Sequence, residues 1–267
     1  MLVFTDQMGR TIELKQAPSR IISLVPSQTE LLFDLGADEK VIGITKFCIH
    51  PDQWFRNKTH VGGTKQLSFA KIKALQPDLI IGNKEENEQA QIEELIGHYP
   101  VWMSDIKNLS DAMNMITEIG TIIDKEKNAL KLTNTITKEF EKLKTVNIKR
   151  KEIQTAYIIW NKPIMCTGPD TFIDEMLRLC GFQNIFRNKS NSRYPEITTG
   201  ELKKHNPELI LLSTEPFPFK EKHIAEFQKA CPNAIIKLVD GELFSWYGSR
   251  LQYAPSYFIK LIESVKV

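Results

Sequence analysis

Short apolar runs recur along the chain, each framed by polar residues and by a proline or glycine. RIISLVPSQTELLFDLGADEKVIGIT (20–45) reads as apolar strand, turn, helix, glycine and second apolar strand. TAYIIWNKPIMCTGPDTFIDEMLRLCGFQNIF (155–186) repeats that order. Runs of this length between turn signals fit strands buried on both faces. Gly36 and Gly181 follow the two helices, where a glycine commonly terminates a helix. Ser27 or Thr29 can cap the first helix, and Asp170 or Thr171 the second.

A second pair of segments halves the chain in the same way. KIKALQPDLIIGNKEEN (71–87) and ELKKHNPELILLSTEPF (201–217) each show a helical turn, a Pro-Asp or Pro-Glu step and a four-residue apolar run. Each predicts a helix that stops near its proline and feeds a buried strand. Strands alternating with helices imply parallel βαβ units. The expected fold is therefore α/β: two Rossmann-like lobes with mainly parallel sheets.

Between the lobes, NLSDAMNMITEIGTIIDKEKNALKLTNTITKEFEKLKTV (108–146) contains no proline. Ala129, Leu132, Ile136, Phe140 and Leu143 recur at helical spacing. One helix is expected to about Ile123 and a long second one from about Lys125 to Lys144. The domain reading is a lobe over 1–123, a long rigid bridging helix over 124–147 and a second lobe over 148–267. The cleft between the lobes, at the carboxyl ends of the strands, is the expected ligand site.

Composition narrows the classes. The chain has 267 residues, 42% hydrophobic and 25% charged, with 35 basic and 33 acidic residues and a net charge of +2. That balance gives no reason to expect nucleic acid or an anionic membrane as partner. The Lys-rich spot at 142–151 reads as a solvated helix end. No stretch approaches the roughly 20 apolar residues of a membrane helix. The first residues, MLVFTDQMGRTIELK, carry Asp6 and Glu13 and do not form a secretory signal. Either the chain works in the cytoplasm or it is a mature form whose export signal has been removed.

The loops expected at the strand ends concentrate aromatic residues: Phe47, Trp160, Tyr194, Phe217, Phe219, Phe244, Trp246 and Tyr247. Large rings at loop tips suit a surface that grips a bulky, partly apolar ligand; the competing reading is that they plug the lobe ends as satellite core. Catalytic templates are absent: there is no GxSxG elbow, Walker loop or GxGxxG. Glu215 and Glu242 are candidate acid/base groups with no nucleophile assigned beside them. Gly62-Gly63-Thr64 either lets backbone approach a ligand or is a plain turn. The four cysteines are scattered, Cys180 reading as a small buried hydrophobe, and the five histidines show no ligand spacing, so a protein-only metal cage is not expected. Cys48 and His50 stand two apart in TKFCIHP (45–51). They are read as a soft, polar rim around Phe47 and Lys46; a Cys48 nucleophile with His50 as base is the enzymatic alternative.

SLVPSQTELLFDLG, LSFAKIKALQPDLII, the central helix and DTFIDEMLRLCGFQNIF together resemble the helical-backbone (class III) substrate-binding proteins of ABC importers. These are receptors for vitamin B12, ferric siderophores and haem, and the likeness is nearest to the B12 receptors. It covers nearly the whole chain. It implies a non-enzymatic monomer that needs no cofactor, holds cobalamin, haem or a ferric siderophore, and sits in the periplasm or at the cell surface. By position, Phe47 falls where the B12 receptors have a pocket tyrosine. Thr64 falls where they have a tryptophan, and Tyr194 where they have a second one. The last cleft loop supplies Trp246, Tyr247 and Arg250, and Arg193 and Arg250 would suit ligand carboxylates. Trp160 completes the expected set. His50 or Cys48 is a candidate axial ligand to a metal already held in a macrocycle. The family also implies a glutamate on each lobe for docking to permease arginines. Glu201 matches in the second lobe, whereas Ala70, followed by Lys71, stands at the first-lobe position. A cytosolic binding or sensing protein on the same scaffold, without transport, is the alternative.

Overall fold

The apolar runs become strands of two separate sheets in the computed structural model, which describes residues 1–147, 151–188 and 191–265. The chain divides into two compact units. The first comprises Met1–Ile106, Ser110–Thr135 and Tyr247–Arg250; the second comprises Lys107–Leu109, Ile136–Trp246 and Leu251–Val267.

The first unit runs β1 (Leu2–Thr5), β2 (Thr11–Leu14), β3 (Ile21–Ser23), α1 (Pro26–Asp34), β4 (Val41–Ile44), α2 (Asp52–Asn57), β5 (Thr59–His60), α3 (Phe69–Leu75), β6 (Leu79–Asn83), α4 (Gln89–Ile96), β7 (Val101–Ser104) and α5 (Leu109–Ile122). Its main sheet has the order β5-β4-β3-β6-β7 and is parallel throughout. β1 and β2 form a separate antiparallel hairpin. Helix α6 (Glu126–Asn147) follows, starting one residue after the expected Lys125 and ending three residues after the expected Lys144.

The second unit adds β8 (Ile153–Trp160), β9 (Ile164–Cys166), α7 (Phe172–Leu179), β10 (Phe182–Asn184), β11 (Glu196–Ile197), α8 (Thr199–His205), β12 (Leu209–Ser213), α9 (Glu221–Ala230), β13 (Ile235–Val239), α10 (Gly241–Ser245) and α11 (Ala254–Ser264). β8 pairs in parallel with β10 and β12, and β12 with β13. The repeat is inexact here. The turn at 161–163 sends β9 back antiparallel to β8, and β11 pairs antiparallel with β9. The strand-turn-helix order expected for 155–186 therefore contains a hairpin.

Burial explains both sheets. Ile22, Leu24, Val61, Ile72, Ile80 and Val101 pack into one core of the first unit. Ala156, Ile158, Leu202, Ile210, Leu212 and Phe227 do so in the second. β3, β6, β7 and β12 are buried along their whole length, hence their apolar runs.

The Pro-Asp and Pro-Glu steps fasten neighbouring strands. Asp78 accepts from Ser19 N (2.8 Å), Ser19 Oγ (3.0 Å) and Arg20 N (2.8 Å), while its own N–H donates to Arg20 O (3.0 Å). Glu208 accepts from Gln154 N (2.9 Å), and its N–H donates to Gln154 O (2.9 Å). The bond from Gln154 N holds the Glu208 carboxyl below the ordinary glutamate range. Gln76 and Asn206, both at φ 45°, end the two preceding helices.

Two capping expectations diverge. Thr171 caps α7 by accepting from Asp174 N (3.1 Å), as one of the two candidates predicted. Neither Ser27 nor Thr29 caps α1. Pro26 occupies its first turn with φ already helical, so the helix starts earlier and Val25 becomes the N-cap. Thr29 lies inside it and donates to Val25 O (2.9 Å).

The units also differ from the expected boundaries at 123 and 148. α6 contributes to the first unit as far as Thr135, and residues 247–250 return to that unit. There Arg250 pairs with Glu30, and Gly248 lies so close to Ser27 O that a Cβ would meet it at 2.5 Å. Residues 148–150 of the Lys-rich spot lie outside the described residues. Among the described residues no helix is long and apolar enough to cross a membrane.

Candidate functional site

In the first unit the carboxyl ends of β4 and β5 place two loops side by side. Val61 N donates to Ile44 O (2.9 Å) and Lys46 N to Gly62 O (2.8 Å). The 45–49 turn is tight, with Cys48 N donating to Thr45 O (3.1 Å) and Ile49 N to Phe47 O (2.9 Å). Its side chains alternate. Phe47 (51% exposed) and Ile49 (46%) point outward, and Cys48 is fully buried.

Cys48 is therefore not part of a polar rim. The Thr29 and Thr45 hydroxyl oxygens each lie 3.1 Å from its sulfur, within hydrogen-bond reach. Burial pushes its thiol up, and the two threonine contacts only partly oppose this. A protonated, enclosed thiol is neither a nucleophile nor an axial ligand, which removes the enzymatic alternative. His50 is half-buried and engaged within the protein. Ile49 is an outward residue that the sequence reading missed; its spacing of two from Phe47 was the available signal.

Thr64 is buried, and its carbonyl accepts from Asn87 Nδ2 (3.1 Å). Lys46 and Lys65 are exposed on the same loops. Tyr247 is buried, and Arg250 makes a two-point pair with Glu30 (Nε–Oε2 2.9 Å, Nη2–Oε1 2.7 Å). The guanidinium expected to receive a ligand carboxylate already holds a protein one.

In the second unit Trp160, 37% exposed, ends β8, and its Nε1 donates to Lys162 O (3.2 Å). Its ring meets Phe217 edge-on at 5.6 Å, and Phe217 meets Phe219 at 4.7 Å. Tyr194 and Arg193 are half-buried on a segment pinned to the sheet, where Gly168 N donates to Arg193 O (2.7 Å). Trp246, Phe244 and Phe219 are buried. The satellite-core reading thus holds for Phe219, Phe244, Trp246 and Tyr247. Of the eight loop rings expected at the site, Phe47 and Trp160 are the most open.

Glu215 and Glu242 line an open pocket of about 410 Å³ with Thr214, Leu238, Val239 and Asp240, at the carboxyl ends of β12 and β13. Ser245 Oγ donates to Glu215, and Asp240 caps α10 by accepting from Glu242 N (3.0 Å). Glu201 closes a capping box with Thr198, accepting from its N (2.7 Å) and Oγ1 (2.8 Å), and these bonds lower its carboxyl pKa. Among the described residues no group of three or more His, Cys, Asp or Glu side chains is arranged to hold a metal ion.

Residues 21–237 match the family model described as periplasmic binding protein. The chain belongs to that family. It is a substrate-binding protein of the group whose members take B12, haem and siderophores, and not an enzyme. It is 24% identical over 256 residues to the vitamin B12-binding protein of Pectobacterium atrosepticum, covering 94% of this chain and 90% of that one. It is 26% identical over 214 residues to the ABC transporter substrate-binding lipoprotein YvrC of Bacillus subtilis, covering 77% and 67%. The periplasmic vitamin B12 binding protein BtuF of Vibrio cholerae superposes with a TM-score of 0.81 at 21% identity, over 93% of this chain and 98% of that one. The periplasmic haem-binding protein BhuT, solved with two haems, gives 0.80 at 20% identity over 92% and 98%. At such identities the structural likeness is one of fold.

Proposed function

We propose that this protein receives a metal chelate or corrinoid, namely cobalamin, haem or a ferric siderophore, on its strand-end loops and delivers it to an ABC permease. The observation that carries this reading is the pair of open rings, Phe47 and Trp160, at the strand ends of a member of this family. Relatives named for vitamin B12 and haem support the ligand class, and a relative named as an ABC transporter lipoprotein supports the permease. Stacking on such rings suits flat, conjugated ligands. Of the expected contacts, Phe47, Lys46 and Trp160 are exposed and Tyr194 and Arg193 half-buried, which supports assigning them to the ligand. Cys48, Trp246 and Tyr247 line the core instead, and Thr64 and Arg250 serve protein contacts.

Titration with cyanocobalamin, ferric haem and ferric siderophores tests the reading. Trp54, Trp102 and Trp246 are buried and Trp160 is 37% exposed, and these ligands absorb where tryptophan emits, so a bound ligand will quench the protein's fluorescence. Saturable quenching by one of them is expected; none by any overturns the proposal.

The alternative, binding without transport, is favoured by one observation. Residues 71–80 and 201–210 share one exposure pattern position by position, which aligns Glu201 with Lys71, not Ala70. The docking carboxylate thus has a cation as its counterpart. Stimulation of a reconstituted permease's ATPase by the loaded protein, lost in Glu201→Ala, supports transport. No stimulation with intact ligand binding selects the alternative.

A further inference from the structure

The Phe47 ring rests on a residue that takes no part in the contacts discussed so far. The 61–68 loop is closed on itself. Gly63 N donates to Gln66 O (2.8 Å), Ser68 N to Val61 O (2.7 Å), and Gly62 bridges to Leu67. Gly62, at φ +111°, makes the turn that only glycine adopts readily, and a Cβ there would strike Gln66 O. Gly63 has a different reason to be glycine. Its φ lies outside the left-handed region, but a Cβ would meet Phe47 Cε2 at 3.0 Å and Lys46 Cε at 3.3 Å. One edge of the ring and the stem of Lys46 occupy the space a side chain would fill. The ring is laid against the loop and is still 51% exposed. The Lys46 ammonium stands 5.2 Å from the ring centroid, within cation–π range. Among the described residues no carboxylate pairs with that ammonium.

We propose that Gly63 is the positioning residue of a Phe47 platform, and that Lys46 beside the platform selects a flat conjugated ligand bearing an acidic group at its rim. The proposal rests on the binding function above and narrows its ligand class. An aromatic ligand face stacks on the open ring, and a rim carboxylate takes the charge-assisted bond that Lys46 has to give.

The test uses ferric haem, its dimethyl ester, cyanocobalamin and a ferric tris-catecholate on the full chain. Haem is expected to bind about tenfold more tightly than the ester, a preference that Lys46→Gln removes without weakening the ester. Gly63→Ala is expected to weaken both porphyrins about tenfold while leaving the melting temperature in place, and to cause no further loss in a Phe47→Ala background. Equal affinity for acid and ester, or tighter binding of cyanocobalamin, overturns the acid preference. Binding of the tris-catecholate alone overturns the flat ligand. A Gly63→Ala loss that persists without Phe47, or that comes with unfolding, overturns the positioning role. If none of the four binds, the proposed function itself fails.

Discussion

Residues 71–80 and 201–210 are the same device built twice: helix, left-handed cap, proline, acid and buried strand. The exposure of each position matches its counterpart in the other unit. Their chemistry differs at the edges. Asp78 takes three hydrogen bonds from Ser19 and Arg20, whereas the longer Glu208 takes one backbone bond from Gln154 and a 3.4 Å contact with Lys151. α8 opens with a complete capping box, whereas Ser68 caps α3 without a side-chain bond. The buried half of the device is thus duplicated and the solvent-facing half is not. Packing constrains the first in both units, and only local polar contacts constrain the second.

The largest expected effect probes the shared half. Ile72→Ala and Leu202→Ala each remove a fully buried side chain and should cost about 3 kcal/mol in denaturant unfolding, alike in the two units. A difference of more than about 1.5 kcal/mol between them would break the equivalence. The hooks should come next. Asp78→Ala is expected to lose about 2 kcal/mol and Glu208→Ala about 1, because the first frees more donors. Equal losses would mean that the backbone bonds of residues 78 and 208 carry the fastening alone. Thr198→Ala should then cost about 1 kcal/mol and Ser68→Ala only a few tenths, read from the same unfolding curves.

The smallest effect is in pH. The Glu208 carboxyl is lowered in the folded state, so its contribution is present above the ordinary value of about 4.3 and is lost as pH falls through the lowered one. Unfolding of Glu208→Gln should therefore depend on pH less steeply than wild type below about pH 4.5. Identical acid limbs would count against the hook.

The duplicated half was the legible half. Four-residue apolar runs, Gly36 and Gly181, and the prolines at 77 and 207 carry strands, helix ends and parallel pairing, because they answer to burial and backbone geometry alone. The β9 hairpin is not legible because Ile164, Met165 and Cys166 look like any short apolar run, and nothing local states which direction the strand takes. The site was harder to read. Phe47 and Trp160 were found as loop-tip rings, but Trp246 and Tyr247 were assigned to the same surface although they are buried. Arg250 was offered to a ligand although Glu30, 220 positions away in the chain, holds it.

By itself, the sequence determined the α/β class, the doubling of the lobes, the long α6 helix and the loops where a ligand would be sought. These follow from periodicity, proline and glycine, which act over a few residues. Tertiary structure alone decided which side chains those loops present. Cys48 turns inward to Thr29 and Thr45, Phe47 lies out against Gly63, and Lys71 stands where Glu201 stands in the other unit. Exposure and pairing depend on neighbours brought from distant parts of the chain, and no local pattern encodes them.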